Sequence, residues 1–432
     1  MKKISKFNHN HKFFLIFILF LIYINIFIII YDERYHFIKI AYYSGSIKFG
    51  GVERVTALLI NLLSKENYFN IYLITKYGKL EGEYDLPANT KRICLLEQKK
   101  NLFDVIKEEK INIIVYNFYN KYEIKKLNSL NKTKAIIYNH SSFLYWIFQK
   151  KFNFTETPYP AYKNSKYVIS LIPLENDYLF KKWGIDSILM DNPTTFEYES
   201  VTPSDLITKN IIMIGRVKDP VKRFYLGIKA MKNIIQEIPD CEMKIISNKD
   251  EDYENLINNL NLEKNIKFTG YKKNIRIFLK NASLHIFPSL CECYPMVLGE
   301  AKIFGIPSII CGLDFLSLSK GGTVIIYDDN PDTIANEAVK ILKNETYRKQ
   351  LGKEARESIK KHSNKEIVKK WIKLFLSVYK DDEESYKNLN SHNIMPIEEA
   401  NHILNNQLLL LKRRYHNFSR LNLEKLKSYS FS

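Results

Sequence analysis

Two successive series of short apolar runs, separated by segments of helical periodicity, constrain this chain more than any other feature. The first series lies at 37–43, 71–74, 111–116, 135–138, 167–171 and 187–190. A polar stretch at 199–210 follows, and the second series then occupies 211–214, 243–246, 266–268, 284–287, 308–311 and 324–327. Runs this short and apolar read as strands buried on both faces. Val55, Leu58, Leu59 and Leu62 recur at i, i+3, i+4 and i+7, one buried face of a helix beginning near Val52. Segments 222–238 and 331–343 also read as helices.

Strands alternating with helices predict a doubly wound, mostly parallel sheet, because parallel neighbours need a crossover between them. Two series predict two α/β domains in tandem, at 36–200 and 208–362, followed by a closing helix at 363–380. Such sheets bind ligands outside the carboxyl ends of their strands, so the cleft between the domains is the expected site. Residues 381–432 form an extension: 381–393 reads as a polar linker and 396–429 as a helix. That helix carries Ile403, Leu404, Leu408, Leu411, Tyr415 and Phe418 as an apolar stripe. Docking back onto the protein and binding a partner or membrane surface are both open to it.

Ahead of the first strand, residues 13–31 contain a single strongly polar side chain, Asn25. A helix of this length spans roughly 28 Å, close to the hydrocarbon core of a bilayer. Lys2, Lys3, Lys6 and Lys12 precede it, which predicts a single-pass anchor with a cytoplasmic N-terminus and leaves the side of the catalytic domain open. The formal charge of +18 suits an anionic substrate, anionic lipid or nucleic acid. Because it is spread along the chain with no recognition module, nucleic acid is not expected. Cys94, Cys241, Cys291, Cys293 and Cys311 lack paired metal-site spacing and read as buried or loop thiols.

The densest chemistry lies at 287–311. Pro295 suits the first position of a helix, where its missing N–H is not needed, and Gly305 and Pro307 end that helix. The N–H groups of Met296, Val297 and Leu298 then form an anion site at the helix N-terminus. Glu292 precedes the helix and Glu300 lies within it. Upstream, strand 211–214 ends at Gly215, with Arg216 next and Lys222 opening a helix. Both cations fall on the carboxyl edge that carries the anion site. A leaving diphosphate gains negative charge in the transition state, so fixed cations favour it there more than in the ground state. Either cation alone reads as a solvated surface charge; together with the glutamate-bearing segment they point to a nucleotide-sugar diphosphate.

Gly215-Arg216 with Lys222-Arg223, then Glu292 and Glu300 with seven residues between them, within Phe-Pro-Ser…Pro-Met-Val-Leu-x-Glu-Ala…Gly-x-Pro, resembles the retaining glycosyltransferases of the group 1 family (family 4). The resemblance is strongest over 208–362. More faintly, Gly50-Gly51-Val52-Glu53-Arg54 resembles that family's first glycine-rich loop, and His140 its active-site histidine. The resemblance implies a GT-B fold: two Rossmann-like domains with a nucleotide-diphosphate sugar as co-substrate in the cleft, no cofactor and no metal. It implies that Glu300 binds the ribose hydroxyls, that Glu292 contacts the transferred sugar and that Arg216 and Lys222 hold the diphosphate. Backbone near Tyr294, Met296 and Val297, beside Pro295, would reach phosphate or sugar. Gly50, Gly51 and Gly215 would let backbone approach the ligand, and His140 would sit by the reacting carbon. The acceptor would be a glycan, a lipid-linked glycan or a protein. Read without that context, His140 is a structural histidine and Gly50-Gly51 a plain turn. Cys293 stands where the family has glycine, and Ser247-Asn248-Lys249-Asp250 replaces a glycine-containing turn. The rival readings are an inactive membrane-anchored scaffold of the same fold and a nucleotide-sugar epimerase or phosphorylase. A nicotinamide enzyme is excluded by the lack of Gly-x-Gly-x-x-Gly at 44–51.

Overall fold

The computed structural model describes residues 37–48, 50–118, 120–130, 132–141, 159–389 and 395–414. The predicted membrane span at 13–31 lies outside them. Among the described residues, no helix is long and apolar enough to cross a membrane.

Two parallel sheets organise the chain. The first contains β1 (Ile38–Ser44), β2 (Phe69–Thr75), β3 (Lys91–Cys94), β4 (Ile113–Tyr116), β5 (Lys134–Tyr138), β6 (Tyr167–Ser170) and β7 (Ser187–Leu189), in the order β3-β2-β1-β4-β5-β6-β7. The second contains β8 (Asn210–Ile214), β9 (Glu242–Ile246), β10 (Ile266–Phe268), β11 (Leu284–Phe287), β12 (Ser308–Cys311) and β13 (Thr323–Ile326), in the order β10-β9-β8-β11-β12-β13. The order reverses between β1 and β4 in one sheet and between β8 and β11 in the other. At such a switch point the loops leave in opposite directions and open a crevice. Loops leaving β8 and β11 are those that carry Arg216 and Glu292.

Strand positions follow the apolar runs, with one addition. The edge strand β3 reads Lys-Arg-Ile-Cys, too short and half polar to signal itself, yet it pairs with β2 from Tyr72↔Lys91 to Thr75↔Cys94. The helix expected at 222–238 is broken at its start. A 3-10 turn, Pro220–Lys222, ends at Arg223 in the left-handed region (φ 48°), and the α-helix proper is Phe224–Glu237.

The chain then returns to the first sheet. Helix Asn364–Lys380 follows the second sheet in sequence but buries Trp371 and Phe375 against the first. The Trp371 ring lies 5.3 Å from Tyr138 and 6.5 Å from Tyr42, and Phe375 meets Phe69 edge-on at 5.5 Å. The stretch expected to be a linker contains a further helix, Glu383–Leu389. Its one buried side chain is Tyr386, whose hydroxyl accepts from Val168 N–H at 3.2 Å. The last described helix, Ile397–Arg414, docks back on the protein. Ala400, Ile403 and Leu410 are buried, and Gln407 donates to Gly312 O and to Asp314 Oδ1 at 2.8 Å. The rest of the helix expected at 396–429 lies outside the described residues.

Candidate functional site

The site is built at the carboxyl edge of the second sheet. β8 ends at Gly215 with φ 154°, a backbone region that side chains disfavour. A Cβ there would stand 3.5 Å from the Phe224 ring and 3.8 Å from the stem of Lys222. Asp219 caps the 3-10 turn through Val221 N–H and pairs with Arg216 at 2.9 Å. Arg216 is otherwise exposed, with 72% of its side chain accessible.

Lys222 points the other way, inward. Its Nζ meets Glu292 Oε1 at 2.5 Å and lies over the Phe287 ring, with both ionic groups largely buried. The two loops are locked together: Leu290 N–H donates to Val221 O at 2.7 Å. Arg223 adds its Nε to Pro288 O at 2.7 Å and pairs with Asp329 at 2.8 Å. Those bonds offset the cost of a left-handed non-glycine residue, of order 1–3 kcal/mol. Sequence reasoning noted Arg223 only as part of a motif. Its positive φ is the signal that it fixes the Glu292 loop.

Helix Met296–Ile303 begins one residue later than expected, with Pro295 as the N-cap. Leu298 N–H is taken by Pro295 O at 3.1 Å, which removes it from the predicted anion donors and leaves Met296 and Val297. The helix is enclosed nearly all round, so both its charged side chains are buried. Lys302 donates to Lys320 O at 2.9 Å, to Ser358 Oγ at 3.1 Å and to Gly321 O, and burial pushes its ammonium down to about 7. Glu300 is 0% exposed and accepts from Arg54.

Arg54 comes from the other domain. Helix Gly51–Leu63 starts after Gly50 (φ 137°), and Glu53 folds back so that its carboxylate fills the space a Gly50 Cβ would need. Burial pushes the Glu53 carboxyl up, against its own backbone hydrogen bond and Arg216 across the cleft. Gly51 is exposed beside it. Nothing periodic in the sequence marks Arg54; its partner is 246 residues away.

His140 follows β5, its ring 4.2 Å from that of Tyr138. Nε2 is enclosed without a partner among the described residues, and burial pushes the imidazole down to about 3, so it is neutral at ordinary pH. Cys293 and Tyr294 are buried; burial raises both, with Glu175 next for the thiol and Asp191 for the phenol. Glu175 itself, enclosed in the first turn of Pro173–Trp183, is pushed up to about 8 by burial. All five cysteines are buried. Ser247, in the departing turn after β9, accepts Val217 N–H at 3.1 Å and so supports the Arg216 loop without glycine.

Residues 197–358 match the family model described as Glycosyl transferases group 1. An uncharacterized glycosyltransferase of Haemophilus influenzae is 24% identical, over 60% of this chain and 76% of that one. The Campylobacter jejuni GalNAc-alpha-(1->4)-GalNAc-alpha-(1->3)-diNAcBac-PP-undecaprenol alpha-1,4-N-acetyl-D-galactosaminyltransferase is 22% identical, over 79% of this chain and 99% of that one. In fold, Anabaena Alr3699/HepE, solved in complex with UDP and glucose, superposes with a TM-score of 0.60 at 14% identity, covering 79% of this chain and 99% of that one. Sequence over 197–358 and the GT-B-like fold of two parallel sheets agree: the chain is a glycosyltransferase similar to those of group 1.

Proposed function

We propose that the chain transfers a hexose-type sugar, with retention of anomeric configuration and without a metal, from a nucleotide-diphosphate sugar to a glycan or lipid-linked acceptor. The observation that carries this reading is the junction of Lys222 and Glu292 at the switch point of the second sheet. It pairs an ammonium suited to a leaving diphosphate with a carboxylate suited to holding a sugar, within one hydrogen-bonded pair of loops. Arg216, on the outer side of the same edge, is the second cation for the diphosphate. Glu300 holds the ribose, and Met296 and Val297 present helix N-terminal N–H groups. His140, being neutral, serves as a hydrogen-bonding group beside the reacting carbon. Cys293 narrows the sugar pocket.

The Campylobacter relative is named for a lipid-diphosphate-linked glycan, and the HepE structure holds UDP. Both support a nucleoside-diphosphate donor and a polyprenyl-diphosphate glycan as first substrates to try. The purified protein is expected to hydrolyse or transfer from at least one of a broad panel of nucleotide sugars, with and without a chelator. Product NMR should show the donor's anomeric configuration kept. Because His140 stays neutral down to about 3, the rate should show no ionisation of that group between pH 5 and 8. Inverted product, or no turnover from any donor, sinks the reading.

Segment 13–31 is proposed as a membrane anchor that brings the cleft to a lipid-linked acceptor. In fractionated cells the full chain should sediment with membranes and a form lacking 1–34 should shift to the supernatant; equal distribution of the two removes the anchor.

A further inference from the structure

The Arg54–Glu300 pair does something the donor reading alone does not require. Glu300 is wholly enclosed in its helix, one carboxylate oxygen accepting from Arg54 Nη2. The other, Oε2, is buried and has no partner among the described residues. The same Nη2 also donates to Thr195 Oγ1, in the segment joining the two sheets. A guanidinium from the first domain is thus pinned to the inter-domain segment and to a carboxylate of the second.

A buried carboxylate stripped of its counter-ion costs several kcal/mol. Ribose hydroxyls offer hydrogen bonds but no positive charge, so they cannot replace a cation. Glu300 also sits in the second turn of its helix, where the N-terminal dipole has largely faded. A ribose ligand in this position therefore needs a resident cation, and Glu53 does not compete for it, being folded back on Gly50.

We propose that Arg54 is a positioning residue for nucleotide recognition: it holds Glu300 charged and in place through one oxygen and leaves the other to a ribose hydroxyl. The proposal rests on the reading of Glu300 as the ribose ligand. Because the two residues belong to different domains, the ribose site is complete only when the domains meet, which couples nucleotide binding to cleft geometry.

The test uses the full chain and calorimetric binding of UDP, GDP and ADP, taking forward the tightest together with its 2′,3′-dideoxy analogue. Glu300→Gln and Arg54→Gln are each expected to weaken the ribonucleotide about 10- to 100-fold, the loss of a hydrogen bond to a charged group. Neither should move the dideoxy analogue by more than about twofold. Once Glu300 is Gln, adding Arg54→Gln should cost almost nothing more, since one acts through the other. Arg54→Lys should recover part of the ribonucleotide affinity, and it replaces Arg54→Gln if that variant does not fold. If Arg54→Gln weakens both nucleotides equally, or adds fully to Glu300→Gln, Arg54 acts elsewhere and the proposal falls while Glu300 keeps its role. If Glu300→Gln binds both nucleotides like the wild type, or if no diphosphate binds, the ribose reading falls and takes the proposal with it.

Discussion

Lys222→Ala is expected to lower kcat/KM for sugar transfer by about 100- to 1,000-fold, the usual cost of removing one preorganised group that stabilises developing charge. Most of the loss should fall on kcat, because the ammonium gains most when the diphosphate departs and only part of that gain exists in the ground state. The resting structure explains why the effect should be large. Lys222 is held by Glu292 and lies over the Phe287 ring, so the charge is already in place when the bond breaks. Arg216→Ala should cost less, since that side chain is mostly in water and its fixed partner is Asp219. Steady-state kinetics on the best donor, with thermal unfolding as a control, decides the matter. A Lys222→Ala enzyme within tenfold of wild type would place the leaving-group cation somewhere else.

The second large effect concerns stability. Lys302→Met keeps most of the side-chain volume but leaves Lys320 O, Gly321 O and Ser358 Oγ without their donor. Unpaired buried acceptors cost about 1–3 kcal/mol each, partly relieved by relaxation. A total loss of about 3 kcal/mol, or roughly 6–12 °C in Tm for a domain of this size, is expected by calorimetry. The comparison also has a pH signature. Burial holds the native ammonium near 7 against 10.5 unfolded, so between those values the unfolded chain binds more protons and wild-type stability rises with pH. The gap between wild type and Lys302→Met should therefore widen from pH 7 to 9. A constant gap would mean that the three acceptors keep the ammonium charged against burial.

What the sequence made legible, and what it did not, divides along a physical line. Strands buried on both faces leave unbroken apolar runs, and the helix read from Val55, Leu58, Leu59 and Leu62 forms, but its buried face runs through Val55, Leu59, Ile60 and Leu63 and leaves Leu58 and Leu62 half-buried. Glu292, Lys222 and Glu300 were readable because local spacing places them on one sheet edge. β3 was not, because Lys91 and Arg92 occupy half of it and pairing with β2 alone makes it a strand. Helix Glu383–Leu389 hid for a similar reason: one tyrosine anchors it. Lys302 gave a usable hint, a lone cation in an otherwise apolar helix between Glu300 and Gly305. Arg54 showed only as the last residue of the faint Gly50–Arg54 motif, and its role comes from two domains meeting. Pro295 caps its helix from one position outside it, where the sequence reads it as the first helical residue.

The return of the chain to its first sheet bears on how the protein is made. Trp371 and Phe375 cover Tyr42, Tyr138 and Phe69, yet they are translated only after every strand of the second sheet. Domains generally fold as they leave the ribosome, amino-terminal first. Here the first sheet emerges with the patch around Tyr42, Tyr138 and Phe69 uncovered, and that patch waits, exposed, through the synthesis of its neighbour. Severing the gene between the sheets would make that transient exposure permanent, so the amino-terminal half alone is expected to be less stable than it is within the full chain. Its true boundary encloses a helix from the far end of the chain.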